Sequence, residues 1–330
     1  MESPQNLNKI GAVAKKRPVS VYYAMLFFVV FFWGVSSVCY SYIYKHYSAS
    51  ALGALMTFFS MLVFLALSLK KRVPFHRRYL KVALPICLLN AAACLLQRIG
   101  LQYTTPAKYA FLEHISCVIV PVMLFAFLRK KPTVLQGVAG LICLAGCFVL
   151  SGIDLGEGFS LSVGDAMCAL AGILLGVVVA AIGAYTQDLD INVFMTMHTA
   201  CYFLVSLGTM VSLHFITANG EPLERIVFSF DPIILIPVVL FGVVDIALCW
   251  MLKTEAIKFT NPTMVAIISP FSAVITGVLS VIVGIDGMSV NLALGGTLIL
   301  AAVLLPELPL KRRSKTQETD RSDKTEKTQK

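Results

Sequence analysis

The sequence predicts an all-α polytopic membrane protein, with ten transmembrane helices arranged as two inverted five-helix repeats. Three observations predict it. Hydrophobic residues make up 58% of the 330-residue chain and charged residues only 14%, against about 45–50% and about 25% in soluble domains. With a mean hydropathy of +0.82, that excludes a soluble enzyme of this length. The apolar residues also fall in blocks of about 20, the length that crosses a hydrocarbon core of roughly 30 Å. Finally, the chain repeats itself about 156 residues on: Gly100 to Leu150 lies without a gap on Ala256 to Pro306. Tyr103-Thr104-Thr105-Pro106 falls on Phe259-Thr260-Asn261-Pro262, Ser116 on Ser272, and Gly140 on Gly296. An internal repeat sets the architecture before any single element does.

In chain order, a polar tail over 1–19 carries Lys15, Lys16 and Arg17. The apolar run that follows is too long for a cleaved leader and has no small-residue cleavage site, so it is read as the first span. Spans are predicted at 20–43, 50–69, 82–101, 105–127 and 133–151, completing a first repeat over 20–151. An acidic, Gly-containing connecting loop over 152–162 is expected outside the cytoplasm. The second repeat, 163–306, holds spans at 163–184, 192–216, 232–252, 262–284 and 288–306. The tail from 307 to 330 is basic, then Lys/Thr/Glu-rich, a composition that does not bury a core.

The basic loops (the N-terminus, 70–81, 129–131 and the C-terminus) all fall on one face of a ten-span chain. Asp154, Glu157, Glu221, Glu224 and Asp286 fall on the other. The positive-inside rule makes the basic face cytoplasmic and puts both termini there. Asp188 and Asp190 dissent, on the inner side with no lysine nearby in sequence. This distribution also explains the net charge of +9 as topology, with no nucleic acid implied. Five spans is an odd number, so the second copy enters the membrane upside down, the layout associated with alternating access about a midplane site.

All nine cysteines lie in apolar blocks, without a CxxC or a neighbouring ligand set. They read as small packing residues, and neither a metal nor a cofactor is expected. Gly172, Gly176, Ala180 and Gly183 run down one side of the sixth span at the spacing that lets helices approach closely in lipid. Pro121 and Pro270 lie within spans four and nine, as packing kinks or as hinges. Pro106 and Pro262 stand at first helical turns, where a missing N–H costs nothing. They either simply start two helices or act as helix-start gates at opposite membrane surfaces.

Ionisable residues deep in a span cost roughly 2.5–3.5 kcal/mol on insertion scales and are functional candidates. Glu113 and His114 in span four and Asp245 in span eight are the deep ones. Arg98 lies near the outer end of span three, where it snorkels outward or reaches down to Glu113. The Arg98–Glu113 pair is then either a structural ion pair or an outer gate that clamps a zwitterion, Arg98 on its carboxylate and Glu113 on its ammonium. Polar stripes at helical spacing add Trp33, Ser37 and Tyr40 in span one, Asn90 and Gln97 in span three, and Ser269 and Ser272 in span nine. Trp250 completes the candidate substrate-binding set. Trp33 stands near mid-span instead of in an interfacial belt, as a stacking wall or as ordinary packing. His198, with Tyr202 in span seven, is a weaker candidate.

The ten spans and the paired segments GLQYTTPAKYAFL and EAIKFTNPTMVAII resemble the drug/metabolite transporter superfamily, and within it the EamA-like transporter family, over about residues 20–306. The resemblance implies ten helices around a cavity lined mainly by spans one, three, four, six, eight and nine. Its members export or exchange amino acids, nucleobases and other small metabolites. The adjacent Glu113 and His114 depart from the small or apolar residues that relatives usually carry there. The implied function is a secondary, non-ATP transporter of a small polar metabolite, an amino acid or amine, working in export by alternating access. Its partners are that solute, the lipid bilayer and a coupling proton taken up at Glu113, Asp245 or His114. The expected location is a cytoplasmic (plasma) membrane of bacterial type. A phosphorylated or nucleotide-linked solute would need several midplane Lys or Arg. An intramembrane enzyme would need a convergent nucleophile or metal set, and neither requirement is met in the sequence. A receptor role leaves the inverted repeat unexplained.

Overall fold

The computed structural model describes residues 17–43, 46–71, 75–104, 106–129, 132–152, 162–218, 221–222, 224–285 and 287–307. Lys15, Lys16, Lys130, Lys131, Asp154, Glu157, Asp286 and both terminal tails up to 16 and from 308 lie outside the described residues.

The described chain is helical apart from an antiparallel pairing of Thr217–Ala218 with Glu221–Pro222. In order the helices are α1 (Val19–Ile43), α2 (Ala49–Lys71), α3 (Leu84–Gln102), α4 (Pro106–Glu113) and α5 (Ser116–Leu128). They continue as α6 (Val134–Leu150), α7 (Val163–Tyr185), α8 (Ile191–Phe215), α9 (Pro232–Phe241) and α10 (Trp250–Phe259). Last come α11 (Pro262–Ile268), α12 (Phe271–Val283) and α13 (Val290–Leu304). A π-helical turn, Tyr79–Ala83, leads into α3, and a longer π segment, Gly242–Cys249, joins α9 to α10. Among the described residues, eight stretches are long and apolar enough to cross a membrane. α6 and α13 are shorter, at 17 and 15 residues, and a 3₁₀ turn, Leu305–Glu307, extends α13.

Local chemistry sets these boundaries. Thr133 with Gln136 and Ser162 with Asp165 form capping boxes that satisfy first-turn N–H groups of α6 and α7. Asp190, Asp231, Asn261 and Ser289 cap α8, α9, α11 and α13 in the same way. Gly284, at φ 79°, ends α12, because a left-handed residue closes a helix and glycine adopts it without strain.

Two of the predicted spans are broken in mid-course. α4 gives way to α5 at His114–Ile115, where the backbone tightens to three-residue bonds from His114 N–H to Phe111 O (3.2 Å) and from Ile115 N–H to Leu112 O (3.3 Å). α11 gives way to α12 at Ser269–Pro270, since proline brings no N–H to continue the ladder. The first break has no proline. Its carbonyls press instead on α7, where a Cβ on Gly172 would lie 2.4 Å from Leu112 O and 3.0 Å from Glu113 O. His114 and Pro270 occupy the same register of the duplicated sequence.

The packing is paired. α7 lies against α3, α4 and α5, while α1 lies against α10 and α12. α2 packs along α8 and α6 along α13. At one end of the bundle, Arg78 meets Asp188 at 2.8 Å and Asp190 N–H bonds the Tyr79 hydroxyl at 2.9 Å. There too Lys258 donates to Leu189 O at 2.5 Å, and Tyr22 stacks on Phe259. The two aspartates without a lysine nearby in sequence therefore face cations brought to them by the fold. At the opposite end, buried Asp165 ties Thr104, Lys108 (3.2 Å) and Ser162 together, and Glu224 accepts from Ser50 N–H at 3.2 Å.

Candidate functional site

Between those two ends the middle of the bundle is polar. The π segment carries Asp245, where the ladder's extra residue per turn changes which way side chains face. Asp245, 9% exposed, accepts from the Tyr40 hydroxyl at 2.5 Å and the Ser36 hydroxyl at 3.3 Å, both on α1. Arg98 on α3 lies within electrostatic reach of the same carboxylate.

Arg98 is itself held by shape. Its guanidinium lies 5.1 Å from the centroid of Tyr202, and Nη1 reaches Ala49 O at 3.4 Å. It crosses directly over Gly53 of α2, where a Cβ would stand 1.4 Å from Nη1. Only a residue without a side chain leaves that slot open.

One turn into α10, Lys253 Nζ lies over both tryptophans of the chain, 4.6 Å from the Trp33 ring centroid and 5.0 Å from Trp250. The two indoles are 5.9 Å apart and inclined at 55°. Glu113, at the end of α4, and buried His114 lie within electrostatic reach of that ammonium. Cys94 on α3 lies within reach of Arg98, Glu113 and Lys253 together. Lys253, Trp33, Trp250 and Glu113 are all partly exposed. Such exposure within a bundle marks accessible space.

The other side of Trp250 is closed by His198, with ring centroids 5.0 Å apart. Asn90 donates its side-chain N–H to His198 Nε2 at 2.8 Å. Asn90 Oδ1, His198 Nδ1, Gln97 Nε2 and Thr254 Oγ1 are buried without a hydrogen-bond partner among the described residues. Buried polar groups are nearly always paired, so these four atoms on α3, α8 and α10 stand out as open hydrogen-bonding positions.

The fold thus joins Trp33 to Trp250, Tyr40 to Asp245 and Asn90 to His198, with Arg98 within reach of Asp245 and Glu113 and His114 within reach of Lys253, while Gln97 is buried on α3. Other predicted residues do something more local. Ser37 is exposed and bonds its own helix at Trp33 O (2.7 Å), while its neighbour Ser36 holds Asp245. Ser269 and Ser272 bond back to Val265 O and Ser269 O at the α11/α12 break. Pro106 opens α4, and its side chain lies outside the described residues. Pro262 opens α11 against Gly183 of α7. Sequence reasoning missed Lys253, because span eight was ended at 252 and the helix runs to Phe259. The duplication held the signal, since Lys253 is the repeat mate of Gln97. His198, a weaker candidate on the sequence, is 1% exposed and touches Trp250.

Residues 20–152 match the model of the EamA-like transporter family, which belongs to the drug/metabolite transporter superfamily. No curated protein matches the chain. A solved structure described as "Crystal structure of protein" is similar at 16% sequence identity, with a TM-score of 0.68, over 89% of this chain and 99% of that one. At that identity the likeness speaks for the fold.

Proposed function

Taking as premise that residues 20–152 belong to the EamA-like transporter family, a family of membrane transporters, we propose that the chain is a secondary transporter of a small amine-bearing metabolite, an amino acid or amine. It works by alternating access between two inverted five-helix halves. One observation carries this: two helices break at positions that correspond between the halves, beside a cluster of ionisable residues. Discontinuous helices in matching places of a repeat are the strongest pointer to a transporter's binding site. The packing supports the same reading, since the contacts of α7 with α3, α4 and α5 recur as those of α1 with α10 and α12. Ten spans require α6 and α13 to cross as well, at about 1.5 Å per residue, and the 3₁₀ turn after α13 helps.

In this account Glu113 takes the solute's ammonium, and a carboxylate, where present, goes to Arg98. Asp245, with Tyr40 and Ser36, carries the coupling proton beside Arg98. Lys253 and Arg98 give the bundle interior two cations, but Glu113 and Asp245 balance them, which disfavours a multiply phosphorylated solute. Export from a bacterial cytoplasmic membrane, with both termini inside, completes the reading.

The test is a thermal-shift screen of the purified protein against amino acids, amines and nucleosides. Hits among amine-bearing compounds, weakened by Glu113→Ala and Arg98→Ala, support the proposal. Hits confined to nucleosides, or indifferent to both substitutions, sink it.

A further inference from the structure

Deepening the central-site reading and resting on it, we propose that the cleft between Trp33 and Trp250 is an organic-cation subsite whose built-in occupant is the ammonium of Lys253. A quaternary or alkylated ammonium group of the solute displaces that ammonium. Cations within about 6 Å of an indole centroid are attracted to the ring face, and paired aromatic walls are the usual way to hold a quaternary ammonium. Lys253 Nζ satisfies that distance over two rings at once, at 4.6 and 5.0 Å. The rings are inclined at 55° to each other, and the one ammonium lies over both of them.

The cleft is built, not incidental. Trp250 is backed by His198 at 5.0 Å, and His198 is fixed by Asn90 at 2.8 Å. Among the described residues, Lys253 Nζ has no carboxylate within salt-bridge distance and is held by the rings, with Glu113 further out supplying negative charge. A lysine ammonium is compact and strongly hydrated. An alkylated ammonium gives up less hydration on entering the same two-indole cleft, so it competes well there. The displaced lysine stays tethered by its four-carbon stem near Glu113.

The chain has two tryptophans, and both line the cleft, so intrinsic fluorescence of the full-length protein reads it without background. Tetramethylammonium chloride is titrated at constant ionic strength into wild type, Lys253→Ala and Lys253→Gln. Wild type is expected to respond weakly. Either variant, monodisperse and helical as wild type, is expected to bind at least tenfold more tightly with a saturable emission shift. Adding Trp250→Leu to Lys253→Ala, with Trp33 as reporter, is expected to abolish the response. The proposal is overturned if neither folded variant gains affinity over wild type. It is also overturned if sodium acetate quenches wild type and that quenching disappears with Lys253, which would assign the lysine to a solute carboxylate. Binding without any transport sinks the transporter reading and leaves this one standing; transport of zwitterions without tetramethylammonium binding does the reverse.

Discussion

Gly53→Ala tests the placement of Arg98 most sharply. The added Cβ would stand 1.4 Å from Arg98 Nη1, whereas ordinary contact begins at 3.4 Å, so the guanidinium must move by about 2 Å. It then leaves Tyr202, Ala49 O and the neighbourhood of Asp245. The clashing atom is the tip of a flexible side chain, so Arg98 gives way and the cost is that of the contacts it leaves, about 0.5–2 kcal/mol for the cation–π contact. In an Arg98→Ala background the obstruction is gone, and alanine is the better helix former by about 1 kcal/mol. That gain is common to both backgrounds and cancels in the cycle, so Gly53→Ala should be less favourable wherever Arg98 is present, with a coupling of about 0.5–2 kcal/mol. Thermal unfolding of the four proteins of the cycle, followed by tryptophan emission in one detergent, measures it. An equal effect of Gly53→Ala in both backgrounds would refute the slot.

Other outcomes follow from the same geometry. Gly172→Ala, whose Cβ meets Leu112 O at 2.4 Å, should lower stability by about 1–3 kcal/mol. Gly208→Ala, with nothing within 4 Å, should raise it by up to about 1 kcal/mol; the melting temperatures of the two should move in opposite directions. Asp165→Ala leaves Lys108 and the first turn of α7 without their carboxylate, and a loss of about 1–3 kcal/mol is expected in thermal unfolding. Asp245→Asn and Tyr40→Phe should each slow proteoliposome transport at least tenfold, whereas Ser37→Ala should stay within twofold; the reverse ranking would mean that α1 presents its other face.

The membrane class was legible because it needs only composition and block length. The helix breaks were half legible. Pro270 announces one, but the break at His114 depends on how closely Gly172 of α7 approaches Leu112 O, which no local pattern encodes. Asp245 was found by its depth alone. On α1 the polar stripe picks out Ser37 and Tyr40, whereas Tyr40 and Ser36, the latter one residue and about 100° round the helix from Ser37, hold Asp245. Lys253 was hidden by the convention that a hydrophobic span stops at its first lysine. A lysine stem packed on apolar surface with its charge over indole rings breaks that convention. Asn90 and His198 lie 108 residues apart in sequence, and their pairing is a property of the fold.

Solute counterflow in proteoliposomes asks the central question most directly. Vesicles loaded with unlabelled amino acids and amines are diluted into trace label, with wild type, Glu113→Gln and Asp245→Asn in parallel. Saturable accumulation of at least one amine-bearing solute is expected with wild type, reduced at least tenfold in both variants. Accumulation that is the same in all three proteins would contradict that expectation.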